Sequence, residues 1–119
     1  MPITRIGMII KRSNIYFARL DPTEGSEISK TRPVLIISND INNKNAKTIT
    51  IIPITSNTKV IRSFEVFIPA GEGNLPKDSK VKCDQIRTID NSRILNEVGN
   101  LSFEYMAEIE DAVRKHLEI

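Results

Sequence analysis

Thr31-Arg32-Pro33-Val34-Leu35-Ile36-Ile37-Ser38 is the stretch on which the fold turns. A proline is tolerated at the head of a strand but not in its middle. The run of mostly apolar residues behind Pro33 therefore predicts a strand that begins there and is covered on both faces. On its C-terminal side, the asparagine-rich segment 39–47 reads as a polar loop. A second strand, Thr48–Ile54, follows with Pro53 near its end, and Thr55-Ser56-Asn57-Thr58 leaves it as a polar loop. On its N-terminal side, Asp21-Pro22-Thr23-Glu24-Gly25 has the proline and glycine of a turn. Residues 21–31 thus read as an exposed loop after a first strand, Asn14–Leu20.

Further out, Phe64–Ile68 reads as a strand, and Gly71-Glu72-Gly73-Asn74-Leu75-Pro76 as a break. Lys80–Ile86 alternates: Val81, Cys83 and Gln85 on one face, Lys82, Asp84 and Ile86 on the other. A short strand is expected within Ile94–Val98. Ser102–Glu118 predicts a helix, with Ser102 as N-cap and Glu104 near the positive dipole end. Its expected apolar face is Phe103, Met106, Ala107, Ile109, Ala112, Val113 and Leu117. Five or six short strands and one packing helix predict a mainly β protein with α, a small, strongly bent barrel forming one domain over residues 1–119.

The composition removes several function classes. Cys83 is the only cysteine and His116 the only histidine, so neither an intramolecular disulfide nor a Cys/His zinc cluster can form. His116 falls near the end of the helix and reads as an exposed or half-packed helix residue, which argues against a Ser-His-Asp hydrolase. There is no glycine-rich phosphate loop. No stretch approaches the roughly 18 apolar residues of a membrane span, and the N-terminus lacks the apolar core of a signal peptide, so a cytoplasmic protein is expected. Residues 102–119 carry two basic side chains against five acidic ones, while the whole chain is at +2. The basic excess therefore sits in the body of the protein, which suits a polyanionic ligand.

What remains for chemistry is a set of polar residues at strand ends. If the strands behind Pro33 and ahead of Thr55 are antiparallel neighbours, Arg32 and Thr55 meet at one edge of the sheet. Lys82 and Asp84 would share a face of the fifth strand, with Arg87 shortly after. Each also has a plain reading. Arg32 can pair with Glu24 or Glu27 on the surface, Thr55 can cap a turn, and Lys82 and Asp84 can be a solvated pair of little energetic weight.

Two longer motifs and one short block go further. Asp21-Pro22-Thr23-Glu24-Gly25-Ser26-Glu27 followed by Thr31-Arg32-Pro33-Val34-Leu35-Ile36, Pro53-Ile54-Thr55, and Cys83-Asp84-Gln85-Ile86-Arg87-Thr88-Ile89-Asp90 together resemble the signatures of the MazF/PemK family of toxin–antitoxin ribonucleases. The resemblance runs from about residue 9 to the end of the helix. It implies an SH3-like (CcdB/PemK-type) barrel, a homodimer, and metal-independent, cofactor-free, sequence-specific cutting of single-stranded RNA, the activity of an mRNA interferase. It maps the catalytic arginine onto Arg32 and the catalytic threonine onto Thr55. In the PemK-like branch an arginine and an aspartate flanking the cysteine also serve; those positions are Lys82 and Asp84 here, and Ser26 stands where that branch has histidine. Two further departures are Arg12-Ser13-Asn14 for the family's Arg-Gly-Asp and Ile28-Ser29-Lys30 for its Gln-Gly-Gly. The second alters the loop expected over the site.

The chemistry implied is attack by the RNA 2′-OH on the neighbouring phosphorus, giving 2′,3′-cyclic phosphate and 5′-OH ends. Arg32 suits phosphate binding better than proton transfer, because its guanidinium stays charged. Glu27, Lys82 and Asp84 are the candidates for proton transfer or for orienting Arg32, and Ser26, Gln85 and Arg87 for support in RNA binding. Most of the six aromatic residues read as core, so bases are expected to be read by hydrogen bonds from loops 21–31 and 55–62. The resemblance also implies an antitoxin partner with a flexible acidic segment. Two rival readings are a CcdB-like gyrase poison and a non-catalytic SH3-like binding protein. The first is disfavoured by the lack of tryptophan and the His116-Leu117-Glu118-Ile119 end, the second by Arg32 and Thr55.

Overall fold

The computed structural model describes residues 9–20 and 30–119. Ser26 and Glu27, and most of the loop expected over 21–31, lie outside the described residues. In chain order the elements are β1 (Asn14–Arg19), β2 (Thr31–Ile36), α1 (Asp40–Asn45), β3 (Thr48–Thr55), β4 (Glu65–Ile68), β5 (Ser79–Lys82), β6 (Arg87–Asp90), β7 (Ile94–Asn100) and α2 (Phe103–Leu117). The strands form one antiparallel sheet in the order β4-β5-β3-β2-β1-β7, with β6 also paired to β3. The end strands β4 and β7 do not pair with each other, so this is a bent, barrel-like sheet that stays open.

The expected double burial of β2 is present and explains the architecture. Leu35 joins Ile15, Ile52, Ile54 and Val81 in one apolar cluster, which α2 covers with Met106, Ile109, Ala112 and Val113. Val34 and Ile36 face the other way, into a second cluster with Tyr16, Ala18, Ile49, Ile51 and Ile94. The alternation of neighbouring residues between two cores follows from the two-residue period of a strand. Of the helix face expected from sequence, Phe103, Ala107 and Leu117 turn out to be exposed. Ser102 does occupy the N-cap position, but its side chain makes no capping bond. Its N–H instead donates to the Glu72 carboxylate at 2.9 Å, so a side chain from another element does the capping.

Three departures have local causes. Segment 39–47 contains α1, because Asn39 accepts from the Asn42 N–H and nucleates a short turn of helix in a polar sequence. The strand expected over 80–86 stops at Lys82, and Cys83–Gln85 form a 3-10 turn. Lys82 and Asp84 therefore do not share the face of one strand. The chain then re-enters the sheet as β6, a strand not expected from the sequence, where the alternating run ends at Ile86.

Ser13 stands where the family has glycine, and its φ is +76°. Its backbone is tied on both sides, Ser13 N–H to the Ile36 carbonyl and Leu101 N–H to the Ser13 carbonyl, each at 3.0 Å. A side chain in this left-handed region is strained, whereas glycine adopts it freely. Ser13→Gly is expected to raise stability by about 0.5–1 kcal/mol, read as a higher urea midpoint at unchanged slope; a lower midpoint would contradict it.

Candidate active site

The pairing of β2 with β3 runs Ile36–Ile51, Leu35–Ile52, Val34–Pro53 and stops. The next step would set Pro33 against Ile54, and Pro33 has no N–H to contribute to the ladder. One step further, the same register brings Arg32 opposite Thr55. Thr55 is the last residue of β3, one residue beyond the expected strand end, and both side chains are half-buried. Pro53 lies at a second gap, where β3 changes partner: Thr48–Ile51 pair with β6, Ile54 and Thr55 with β5.

Arg32 and Thr55 stand between two hollows and line both. The narrower, about 200 Å³, has an apolar wall from Phe17, Pro33, Leu75, Pro76 and Val98, with Lys77 at its rim. The wider, about 620 Å³, is bounded by Ser56, Asn57, Thr58 and Lys59 from the β3–β4 connection. Thr55 Oγ1 accepts the Asn57 N–H at 3.3 Å. That bond uses an oxygen lone pair and leaves the hydroxyl proton to be donated outward. A forked cation beside a hydroxyl donor, open to hollows on both sides, is suited to holding a phosphodiester with a base on either side.

The other sequence candidates are placed differently. Lys82 Nζ donates to Glu65 Oε2 at 3.0 Å. Asp84 sits in the 3-10 turn with one carboxylate oxygen buried and unbonded among the described residues. Gln85 is in the same turn, and Arg87 pairs with Ile51, four residues along β3 from Thr55. None of these four lines either hollow. Cys83 is fully buried, and burial, with Asp84 and Glu65 nearby, pushes its thiol up to about 12, so it is not a nucleophile near neutral pH.

Three residues near the site were not foreseen. Phe17 is 40% exposed and walls the narrow hollow, although the aromatics read as core. Lys80, paired directly with Thr55 across β3 and β5, is buried, and so is Glu65 on β4. Glu65 Oε1 accepts from Lys80 Nζ at 3.1 Å and from the Arg62 N–H at 2.9 Å. The matching signal was the pair of short alternating runs Glu65-Val66-Phe67 and Ser79-Lys80-Val81-Lys82, but only the register reveals that their charges meet.

Residues 11–117 match the sequence profile of a family described as the PemK-like, MazF-like toxins of type II toxin–antitoxin systems. The chain belongs to the PemK/MazF toxin family. Among relatives, it is 34% identical over 116 residues to endoribonuclease MazF9 of Mycobacterium tuberculosis, covering 93% of this chain and 98% of that protein. It is 36% identical over 113 residues to endoribonuclease EndoA of Bacillus subtilis, covering 94% and 97%. In fold it is similar to the crystal structure of MazF from Deinococcus radiodurans, with a TM-score of 0.82 at 24% identity, covering 93% of this chain and 98% of that one. The family's CcdB/PemK-type barrel is thus the architecture of this toxin as well.

Burial alone would raise the Glu65 carboxyl, but the Arg62 N–H and the Lys82 and Lys80 ammonium groups outweigh it and hold it at about 2. A carboxyl depressed from 4.5 to about 2 contributes stability that is present above pH 4.5 and is lost as pH falls toward 2. Between pH 5 and pH 2 the melting temperature of the wild type is expected to fall more steeply than that of Glu65→Gln. Parallel curves would show that Glu65 carries no such linkage.

Proposed function

We propose that this chain is the RNA-cutting toxin of a toxin–antitoxin pair, a metal-independent endoribonuclease acting on single-stranded RNA with Arg32 and Thr55 at its catalytic centre. The observation that carries the reading is that Arg32 and Thr55 together line both hollows, in a chain of this family.

The RNA supplies its own nucleophile. The 2′-OH attacks the adjacent phosphorus, the bond to the 5′-oxygen breaks, and a 2′,3′-cyclic phosphate and a 5′-OH remain. Arg32 binds the non-bridging oxygens and stabilises the charge that builds on them in the transition state. Thr55 donates its hydroxyl proton as a hydrogen bond to the same phosphate, held in that orientation by the Asn57 N–H on its oxygen. No carboxylate or imidazole among the described residues lines either hollow. With Lys82 and Asp84 away from both, Glu27 is the carboxylate to test for proton transfer. Arg32 therefore acts by charge, and DNA, lacking the 2′-OH, binds without being cut.

The surroundings fit the rest of the reading. A basic body suits both RNA and the acidic segment of an antitoxin, which would block the same groove. No helix among the described residues is long and apolar enough to cross a membrane; action on mRNA suits a toxin of the cytoplasm, and the family reading adds that it works as a homodimer. Gyrase poisoning and catalytically silent binding are the alternatives that mapping the cuts eliminates.

Purified protein is expected to cut a long RNA at a short recurring sequence, equally with and without EDTA. Arg32→Ala and Thr55→Ala are each expected to lower kcat about 10²–10³-fold, the usual effect of deleting one donor to a developing oxyanion, with melting curves like the wild type. Full activity in Arg32→Ala, or activity that EDTA abolishes and Mg²⁺ restores, would overturn the assignment.

A further inference from the structure

The β3–β4 connection, residues 56–64, has no regular secondary structure, yet it is fastened along its whole length. Where it leaves β3, Thr55 Oγ1 accepts the Asn57 N–H and Asn57 Oδ1 accepts the Lys59 N–H, both at 3.3 Å. At its middle, Lys80 Nζ donates to the Val60 carbonyl at 2.7 Å. At its end, the Arg62 N–H donates to Glu65 Oε1 and the Glu65 N–H to the Arg62 carbonyl, at 2.9 and 3.0 Å. Glu65 in turn accepts from Lys80 and Lys82 at 3.1 and 3.0 Å, and its side chain is wholly buried.

A buried triad of two lysines and one glutamate is a poor way to stabilise a sheet. Desolvating three charges costs about what their attraction returns, and apolar residues of similar volume often do as well or better. What this triad does that apolar residues cannot is grip two backbone groups of an exposed loop. Lys80 grips the Val60 carbonyl from β5, where it is Thr55's partner in the ladder, and Glu65 grips the Arg62 N–H from β4. The gripped loop carries Asn57, Thr58 and Lys59 into the wide hollow beside Arg32 and Thr55.

We propose that Lys80, Glu65 and Lys82 are positioning residues that hold loop 56–64 as a preformed reader of the RNA bases next to the cut phosphate. The proposal rests on the RNA-cutting reading above. A loop held in place discriminates, because a mismatched base leaves its polar groups unpaired. A loose loop adapts to several bases and loses entropy on binding each of them. Loss of the grip therefore acts on recognition, not on the phosphate chemistry at Arg32 and Thr55.

The test compares wild type with Lys80→Met, Lys80→Arg, Glu65→Gln and the double variant Lys80→Met/Glu65→Leu. The double variant removes the two most buried charges together and leaves only Lys82, whose side chain is 19% exposed, so its ammonium can turn to solvent. Each protein cuts a long RNA for site mapping, and then a short RNA carrying the wild-type sequence for kinetics. Lys80→Met, Glu65→Gln and the double variant are expected to cut a broader set of sequences. Their KM on the short RNA is expected to rise about tenfold, the effect of losing one modest interaction, with kcat within about threefold. Lys80→Arg is expected to restore site selection in large part. An unchanged set of sites at unchanged KM in the folded double variant would overturn the proposal while leaving the RNA-cutting reading standing. A loss confined to kcat would assign the triad to the chemistry and also overturn it. A wild-type protein that cuts no RNA would instead remove the reading on which the proposal rests.

Discussion

The β2–β3 ladder stops because Pro33 has no N–H to give, and the site depends on that stop. Were the ladder to continue, Arg32 and Thr55 would be two more cross-strand neighbours on a closed sheet. Because it ends at Val34–Pro53, the two strands are free of each other where Arg32 and Thr55 emerge. Pro53 does the equivalent on the other side of β3, at the point where that strand changes from β6 to β5. Both interruptions need a rigid frame around them. The two apolar clusters supply it, since Leu35, Val34 and Ile36 anchor the rest of β2 on opposite faces. Packing a few residues away thus supports the opening, together with the pairing of Arg32 with Ala18 and of Thr55 with Lys80.

The electrostatics around the opening divide in two. Glu65 and Lys80 are buried, Lys82 is half-buried, and both lysines are bonded to Glu65, so the three add little to the field that RNA meets. Arg32, Lys59 and Lys77 line the hollows and do face it. Lysines close in sequence thus have different placements, Lys80 and Lys82 bonded to Glu65 and Lys59 and Lys77 lining the hollows. A net-charge argument treats them alike, because it counts charges without asking where desolvation has already been offset.

How much was legible follows from the range of the interactions. The strand at Pro33 was legible because double burial leaves an unbroken apolar run, although β2 begins at Thr31, two residues before the proline; its neighbour was legible too, although β3 runs past Pro53 to Thr55. Arg32 and Thr55 as edge neighbours needed only the assumption of antiparallel pairing. Lys82 and Asp84 were misread as face-mates because alternation continues formally through Cys83–Gln85, while the backbone turns there into a 3-10 conformation. The exposure of Phe103 was hidden for a similar reason: helical spacing identifies a stripe, not which end of the stripe finds a partner. Helix α1 was missed because its only signal is a cap, Asn39 on Asn42, inside a polar segment that also reads as a loop. The clamp was beyond reach, since Glu65 and Lys82 are seventeen residues apart and meet only through the β4–β5 register.

The separation of strand end from loop has a consequence for how such a site can vary. The proposed phosphate-binding pair is placed by backbone geometry and by two core clusters, so shifting its position would require changing the sheet. The proposed reading surface is an exposed connection, held by three side chains that lie on neighbouring strands and add little over apolar residues of similar volume. Residues 57–59 can change without touching the core, provided the backbone they ride on stays gripped at Val60 and Arg62. The same phosphate chemistry can then serve different RNA sequences. In that arrangement the side chains that choose the sequence need not be the ones that fix how sharply it is chosen. Asn57, Thr58 and Lys59 present the groups, and Lys80 and Glu65, out of contact with solvent, determine whether those groups are held still.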